Sequence, residues 1–205
     1  MAQVMFKNMI SLTFGAFTLL FLLWITYGFA SVTNLEEPKY TIIQQNKHYE
    51  LRAYDPCLIA SVQVNGHYQE ASSRGFRLIV DYIFGNNQSQ SKISMTAPVV
   101  QQSSISVVNE THRSPSSNQA HTLYFVMPSK YSLDTIASPV NPDVLLKKMP
   151  ARAIAVVRFS GIFSESRAMT MLEKLKSSLN KDGIKMTNKI SFARYNPPWT
   201  PPFMN

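Results

Sequence analysis

The sequence has few of the residues on which most catalytic and metal-binding sites depend. It contains one cysteine, Cys57, and four histidines in 205 residues. A single thiol excludes an intramolecular disulfide and any metal site that needs several cysteines. The sequence has no G-x-S-x-G motif, no H-E-x-x-H motif and no phosphate-binding glycine loop. We therefore expect a binding protein rather than an enzyme, and we predict no metal site and no catalytic residue.

Charged residues are also scarce, at 16% of the chain, whereas hydrophobic residues make up 45%. The formal net charge of +8 favours anionic partners, such as a ligand with carboxylates or an anionic membrane surface. Nucleic-acid binding is not predicted, because the basic residues are scattered and Lys147-Lys148 is the only adjacent pair. The length allows one ordinary domain and an accessory segment.

The accessory segment is an uncharged apolar run from Ile10 to Ala30. At about 1.5 Å per residue, a helix of this length crosses a hydrocarbon core of roughly 30 Å. Trp24 and Tyr27 near its end are typical of a membrane interface. A cleaved signal peptide is the alternative, because Gly28 and Ala30 offer small residues for cleavage. We favour an uncleaved signal-anchor, since the run is longer than the about 7–15 apolar residues of a signal peptide.

These features divide the chain into four parts. Residues 1–9 are a short N-terminal segment, 10–30 the predicted transmembrane signal-anchor, 31–39 a linker and 40–205 the folded domain. Lys7 precedes the anchor, so the positive-inside rule predicts a single-pass membrane protein with its domain on the outer, periplasmic or extracellular side.

A strand followed by a helix occurs twice within the domain. In residues 58–64 apolar and polar side chains alternate as in a strand. Gly66 follows this strand, and a helix is predicted over residues 68–84. Ninety-five positions later, the side chains of residues 155–159 again alternate as in a strand. Gly161 follows this strand, and a helix is predicted over residues 164–181. This period predicts a duplicated strand–helix–strand half. The polar stretch 102–121 between the halves is predicted to be a hairpin loop, with His112 and His121 in solvent.

Several motifs resemble the SOUL haem-binding protein family. The helix and the extended segment after it read G-F-R-L-I-V-D-Y-I-F-G-N-N and K-I-S-M-T-A-P-V over residues 75–87 and 92–99. Y-E-L-R-A-Y at 49–54 and A-R-Y-N-P-P-W-T-P-P-F at 193–203 are similar to the same family. The resemblance covers roughly Tyr40 to Phe203. It implies an α+β fold, in which two repeated halves form a distorted antiparallel β-barrel with two external helices.

The resemblance also implies a ligand, non-covalently bound haem or a related porphyrin, on a surface near the first helix. A flat tetrapyrrole needs large apolar side chains, with cations near its edge for the propionates. The residues predicted to contact it are Arg74, Phe76, Arg77, Ile79, Val80, Ile83 and Met95. The competing interpretation is that the apolar members of this set are buried against the sheet.

The sequence departs from the family pattern at Ala53. Some members carry there a histidine that is proposed as an axial haem ligand, and alanine cannot ligate iron, so the axial ligand is not identified. The predicted function is a membrane-tethered module that binds haem or a related tetrapyrrole, for binding, buffering or transfer. Two alternatives stay open: an enzyme acting on a small amphiphile in the same cleft, and a ligand-free module that binds an unknown protein at the membrane.

Overall fold

The structure is a computed structural model that describes residues 18–19, 35–104, 120–161, 164–187 and 189–195. Most of the predicted anchor and the proline-rich C-terminal tail lie outside the described residues. In the described ranges, no helix is both long enough and apolar enough to cross a membrane.

Two helices and eight strands make up the described part of the domain. The helices are α1 (Tyr68–Ile83) and α2 (Glu165–Lys181). The strands are β1 (Tyr40–Gln45), β2 (Glu50–Tyr54), β3 (Cys57–Asn65), β4 (Val99–Ser104), β5 (Ala120–Val126), β6 (Leu145–Met149), β7 (Arg152–Val156) and β8 (Lys189–Arg194).

The strands form two antiparallel sheets. The small sheet has the order β1-β2-β7, and the large sheet has the order β6-β3-β5-β4-β8. The α+β class is therefore confirmed. The predicted distorted antiparallel β-barrel is wrong for the described residues, because their strands form two separate sheets and not a closed barrel.

Two prolines account for the division between the sheets. Tyr54 pairs with Arg152 in the small sheet, and Cys57 pairs with Met149 in the large one. Continuing this register sets Pro56 opposite Pro150. Proline has no backbone N–H to donate to a ladder, so the hydrogen bonding between these strand pairs is interrupted there.

The strand pairing follows the 95-residue spacing seen in the sequence. Glu50 pairs with Val156, and Ser61 pairs with Leu145. Leu145 lies 95 positions after Glu50, and Val156 lies 95 positions after Ser61. Each pair therefore joins one residue of the first repeat to one residue of the second, and the two pairs are equivalent. β7 nevertheless ends at Val156, whereas the sequence predicted a strand over residues 155–159.

The main core lies between α1 and the large sheet. Ile79, Tyr82 and Ile83 are fully buried there with Leu123 and Phe125.

Gly75 is the point of closest approach between α1 and the large sheet. A Cβ atom at this position would lie 3.2 Å from side-chain atoms of both Leu123 and Val62. Only a residue without a side chain leaves room for this contact, so Gly75 sets the distance between the helix and the sheet.

The predicted hairpin loop is shorter than expected at both ends. β4 continues to Ser104, and β5 begins at Ala120. His121 is therefore in a strand and only 2% exposed, with its Nε2 atom 3.1 Å from the Gly66 carbonyl oxygen. The prediction that His121 is a solvated loop residue was wrong, and His112 lies outside the described residues.

Candidate functional site

Helix α1 positions the candidate site. Its buried residues recur at helical spacing and fix one face against the sheet. The helix ends with Phe84 as the C-cap residue, and Gly85 follows with φ +121°. Glycine adopts this left-handed conformation without a Cβ penalty, so Gly85 allows the chain to turn away from the end of α1.

A shallow, open groove of ≈ 600 Å³ runs along the solvent side of α1. Most of its surface is apolar, and cationic groups stand at its edge. We call this surface the α1 groove, and its lining residues are Arg74, Phe76, Arg77, Leu78, Val80, Asp81 and Phe84.

The charged residues of the α1 groove differ in the hydrogen bonds and ion pairs that they form within the protein. The Arg74 guanidinium donates a hydrogen bond to the Asn65 carbonyl oxygen. The Asp81 carboxylate accepts one from the Asn86 amide at 2.5 Å. Arg77 is exposed, and among the described residues it forms no ion pair within 4 Å. Arg77 is therefore the cation best placed to meet a ligand carboxylate.

Four of the seven predicted contact residues line the α1 groove: Arg74, Phe76, Arg77 and Val80, of which Phe76 and Val80 also pack partly against the core. Ile79 and Ile83 are at most 1% exposed and lie in the core beneath the helix. Met95 is half-buried and packs against the same core. The structure thus places these three side chains behind or beside the groove rather than on its lining.

Three groove residues were absent from the sequence prediction: Leu78, Asp81 and Phe84. Phe84 is 55% exposed, although it is a large aromatic residue. It stands four residues after Val80, at the spacing that puts two side chains on one helix face. That spacing is a signal in the sequence, although Phe84 is also the last residue of the predicted helix.

A second cluster of polar and aromatic residues lies on the small sheet. Arg52 is 2% exposed and forms an ion pair with Glu50 at 2.6 Å. It also donates to the Tyr54 hydroxyl at 3.2 Å, and its guanidinium lies 4.3 Å from the centre of the Tyr40 ring. Burial alone would lower the pKa of Arg52, but these hydrogen bonds outweigh it and raise the pKa.

Tyr195 belongs to the same cluster. Burial, followed by the nearby Tyr54 and Glu37, raises its pKa to about 12, and a hydrogen bond with Arg52 acts in the opposite direction. The hydroxyl is therefore neutral at physiological pH, and Arg52 has its partners within the fold. We interpret this cluster as part of the structural framework rather than as a ligand site.

Ala53 lies between two members of that cluster but points to the other face of the sheet. It pairs with Thr41 on β1 and with Ala153 on β7. Its immediate cross-strand partners are therefore a threonine and an alanine, neither of which ligates haem iron. Among the described residues, no group of three or more His, Cys, Asp or Glu side chains is arranged to hold a metal ion.

Comparisons with known proteins agree with this architecture. The family model described as SOUL heme-binding protein matches residues 35–205. Heme-binding protein 2 of Homo sapiens is 32% identical over 152 residues, which are 73% of this chain and 71% of that protein. Heme-binding protein 1 of Xenopus tropicalis is 27% identical over 154 residues, covering 75% and 77%.

Among solved structures, the C-terminal domain of EcmrR has a similar fold. Its TM-score is 0.53 at 12% identity, over 79% of this chain and 88% of that one. At this identity the likeness concerns the fold alone. Because the family model spans nearly all of the predicted domain, the chain belongs to the SOUL heme-binding protein family.

Proposed function

We propose that this chain is a membrane-tethered module that binds haem or a related tetrapyrrole at the α1 groove, for binding, buffering or transfer rather than catalysis. Family membership makes haem the expected ligand, and relatives in human and mouse are named heme-binding proteins. The observation that carries the site assignment is the combination, on one exposed helix face, of apolar side chains with two arginines.

The α1 groove suits the chemistry of a porphyrin. Phe76, Leu78, Val80 and Phe84 offer an apolar strip for a flat ring. Arg77 would pair with a propionate, because guanidinium binds carboxylates through two parallel hydrogen bonds. The single carboxylate of the groove, Asp81, already accepts a hydrogen bond from the Asn86 amide, and it would oppose a propionate placed beside it.

The groove does not offer an axial ligand for iron. None of its lining residues is a histidine, cysteine, methionine or tyrosine. Haem would supply a redox-active iron, while the side chains of this groove bind only the ring and the propionates. It follows that a metal-free porphyrin is expected to bind about as well as haemin.

Titration of the purified full chain tests this site. Haemin and metal-free protoporphyrin are added to the parent protein and to the Arg77→Ala and Phe84→Ala variants. We expect each variant to bind both ligands about two- to fivefold more weakly, as for the loss of an exposed charge pair or of part of an apolar contact. Arg158→Ala and Met169→Ala are matched controls, since both residues are exposed outside the groove.

The outcomes separate the alternatives. Unchanged affinity in both groove variants would show that the ligand binds elsewhere on the protein. A strong preference for haemin over the metal-free ring would require an iron ligand outside the groove. The absence of saturable binding of either ligand would favour the ligand-free interaction module. Turnover of a small amphiphilic substrate that is lost in the Asp81→Asn variant would favour an enzyme.

The membrane tether is the second part of the proposal, and the 21-residue apolar run from Ile10 to Ala30 supports it. The run has the length and interfacial aromatic residues of a membrane span. We expect the full chain to resist alkaline carbonate extraction and to keep its amino terminus, with the domain accessible to protease from the outer side. Amino-terminal sequencing that begins at Ser31, with the protein free of membranes, would contradict the tether.

A further inference from the structure

The edge strand β1 carries an exposed apolar surface that the α1 groove does not explain. All six residues of β1 are exposed, including Ile42 at 50% and Ile43 at 57%. The register with β2 shifts between Ile42 and Gln44, so β1 has a bulge at this point. Both faces of β1 are exposed along its whole length, so the two consecutive isoleucines are accessible together.

The composition of β1 is unusual for an unprotected sheet edge. Edge strands commonly carry a charged residue or a proline that prevents association. The β1 sequence YTIIQQ contains neither. Among the described strands β1 is the outer strand of the small sheet, and exposed apolar residues at such an edge mark a surface that contacts something else.

Exposed basic residues flank this apolar strand at both ends, with Glu36 and Glu37 as exposed acidic residues before Lys39. Lys39 precedes β1 and Lys47 follows it, and both are exposed. Tyr49 donates a hydrogen bond to Asp182 at 2.5 Å, which joins the C-terminal end of α2 to the β1–β2 turn. Two further exposed lysines lie at this end of α2, namely Lys181 and Lys185.

We propose that this surface, formed by Tyr40, Ile42, Ile43, Lys39 and Lys47 and here called the β1 rim, docks on an anionic lipid surface. The inference rests on the proposed membrane tether. β1 begins ten residues after Ala30, and an extended linker of nine residues reaches about 30 Å, so the rim stays near the headgroups. Contact is confined to the interface, because the unpaired backbone groups of the edge cannot enter hydrocarbon.

The lysines at the two ends of β1 oppose one pairing of two copies and favour an anionic lipid surface. An antiparallel pair of β1 strands centred on Ile43 would place Lys39 of one copy opposite Lys47 of the other. Like charges directly opposite each other destabilise a strand pair. An anionic bilayer instead attracts the same lysines, with each basic residue near the surface contributing about 1 kcal/mol.

Site-specific fluorescence on the full chain in vesicles tests this inference. Cys57 is first replaced by alanine, and a new cysteine carrying an environment-sensitive dye is introduced by Ile43→Cys or, as the control, by Val140→Cys. Val140 is 59% exposed and lies outside the β1 rim. The vesicles contain phosphatidylcholine and phosphatidylglycerol with lipids spin-labelled near the headgroup.

We expect the spin labels to quench the dye at position 43 and not the dye at position 140. Quenching at position 43 should fall when phosphatidylglycerol is omitted, and Lys47→Gln should lower the equilibrium constant for contact by about fivefold. Equal quenching at both positions, or none at position 43, would overturn the inference. Cross-linking between copies through position 43 would overturn it as well, in favour of a second copy.

Failure of this inference is distinguishable from failure of the proposed function. Carbonate extraction of the same vesicles reports on the tether, and haemin titration of the same labelled proteins reports on the α1 groove. A chain that is retained and binds haemin, but shows no quenching at position 43, contradicts only the docking of the β1 rim.

Discussion

The two helices of the repeat are attached to the domain in different ways. Helix α1 begins two residues after Gly66, and α2 begins four residues after Gly161. Since α2 begins two residues later relative to its glycine, equivalent helix positions are 97 residues apart, whereas equivalent strand positions are 95 apart. Ala71 then corresponds to Ala168, and both are at most 1% exposed.

The last turns correspond as well, since Tyr82 and Leu179 are both 1% exposed, but the positions between them differ. Gly75 in α1 corresponds to Leu172 in α2, and the fully buried Ile79 corresponds to Lys176, which forms an ion pair with Glu173 at 2.8 Å. The backbone of α1 approaches β3 and β5 closely, whereas α2 makes no comparable backbone approach to a described strand.

This difference explains why only one helix is a good candidate for a ligand surface. A helix held closely against a sheet gives side chains on its outer face fixed positions, which favours binding to a flat, rigid ligand. Duplication thus provided two equivalent elements, and close packing through Gly75 distinguishes the one that carries the groove.

The most severe test of this comparison removes equivalent side chains from the two helices. Ile79→Ala is expected to lower the free energy of unfolding by about 2–5 kcal/mol, because it leaves a cavity in a fully buried site. Lys176→Ala should change it by no more than about 0.5 kcal/mol, since an exposed ion pair contributes little. Urea denaturation followed by circular dichroism measures both, and similar losses would contradict the difference in packing between these two equivalent positions.

A second test adds volume where α1 meets the sheet. Gly75→Leu is expected to cost about 1–3 kcal/mol, because its side chain would displace Leu123 and Val62. Thr170→Leu is the control on the exposed side of α2 and should be nearly neutral. If Gly75→Leu retained both the parent stability and the parent haemin affinity, the close approach would not be needed to fix the groove.

The sequence predicted both helices to within a few residues, because their apolar side chains follow a clear helical period. The turn between β1 and β2 is equally local, because the Asn46 side chain accepts hydrogen bonds from the backbone N–H groups of His48 and Tyr49. Local signals of this kind depend only on near neighbours along the chain.

The errors came from contacts between distant segments. The division into two sheets depends on Pro56 and Pro150 being opposite each other, which requires the strand register. His121 is buried because β5 begins earlier than the polar composition suggested. Helical periodicity identified the face of α1 that carries Ile79 and Ile83, but it did not separate the core side from the ligand side.

The smallest expected effect concerns the first turns of the two helices. The Ser164 side chain caps α2 by accepting a hydrogen bond from the Arg167 backbone N–H at 3.3 Å, whereas His67, at the equivalent place before α1, makes no such bond. Ser164→Ala should therefore cost about 1 kcal/mol, and His67→Ala should be close to neutral. The change in the urea midpoint of each variant measures this difference. An equal loss in both would show that α1 depends on its first turn as α2 does, although packing against the large sheet is expected to hold α1 without a side-chain cap.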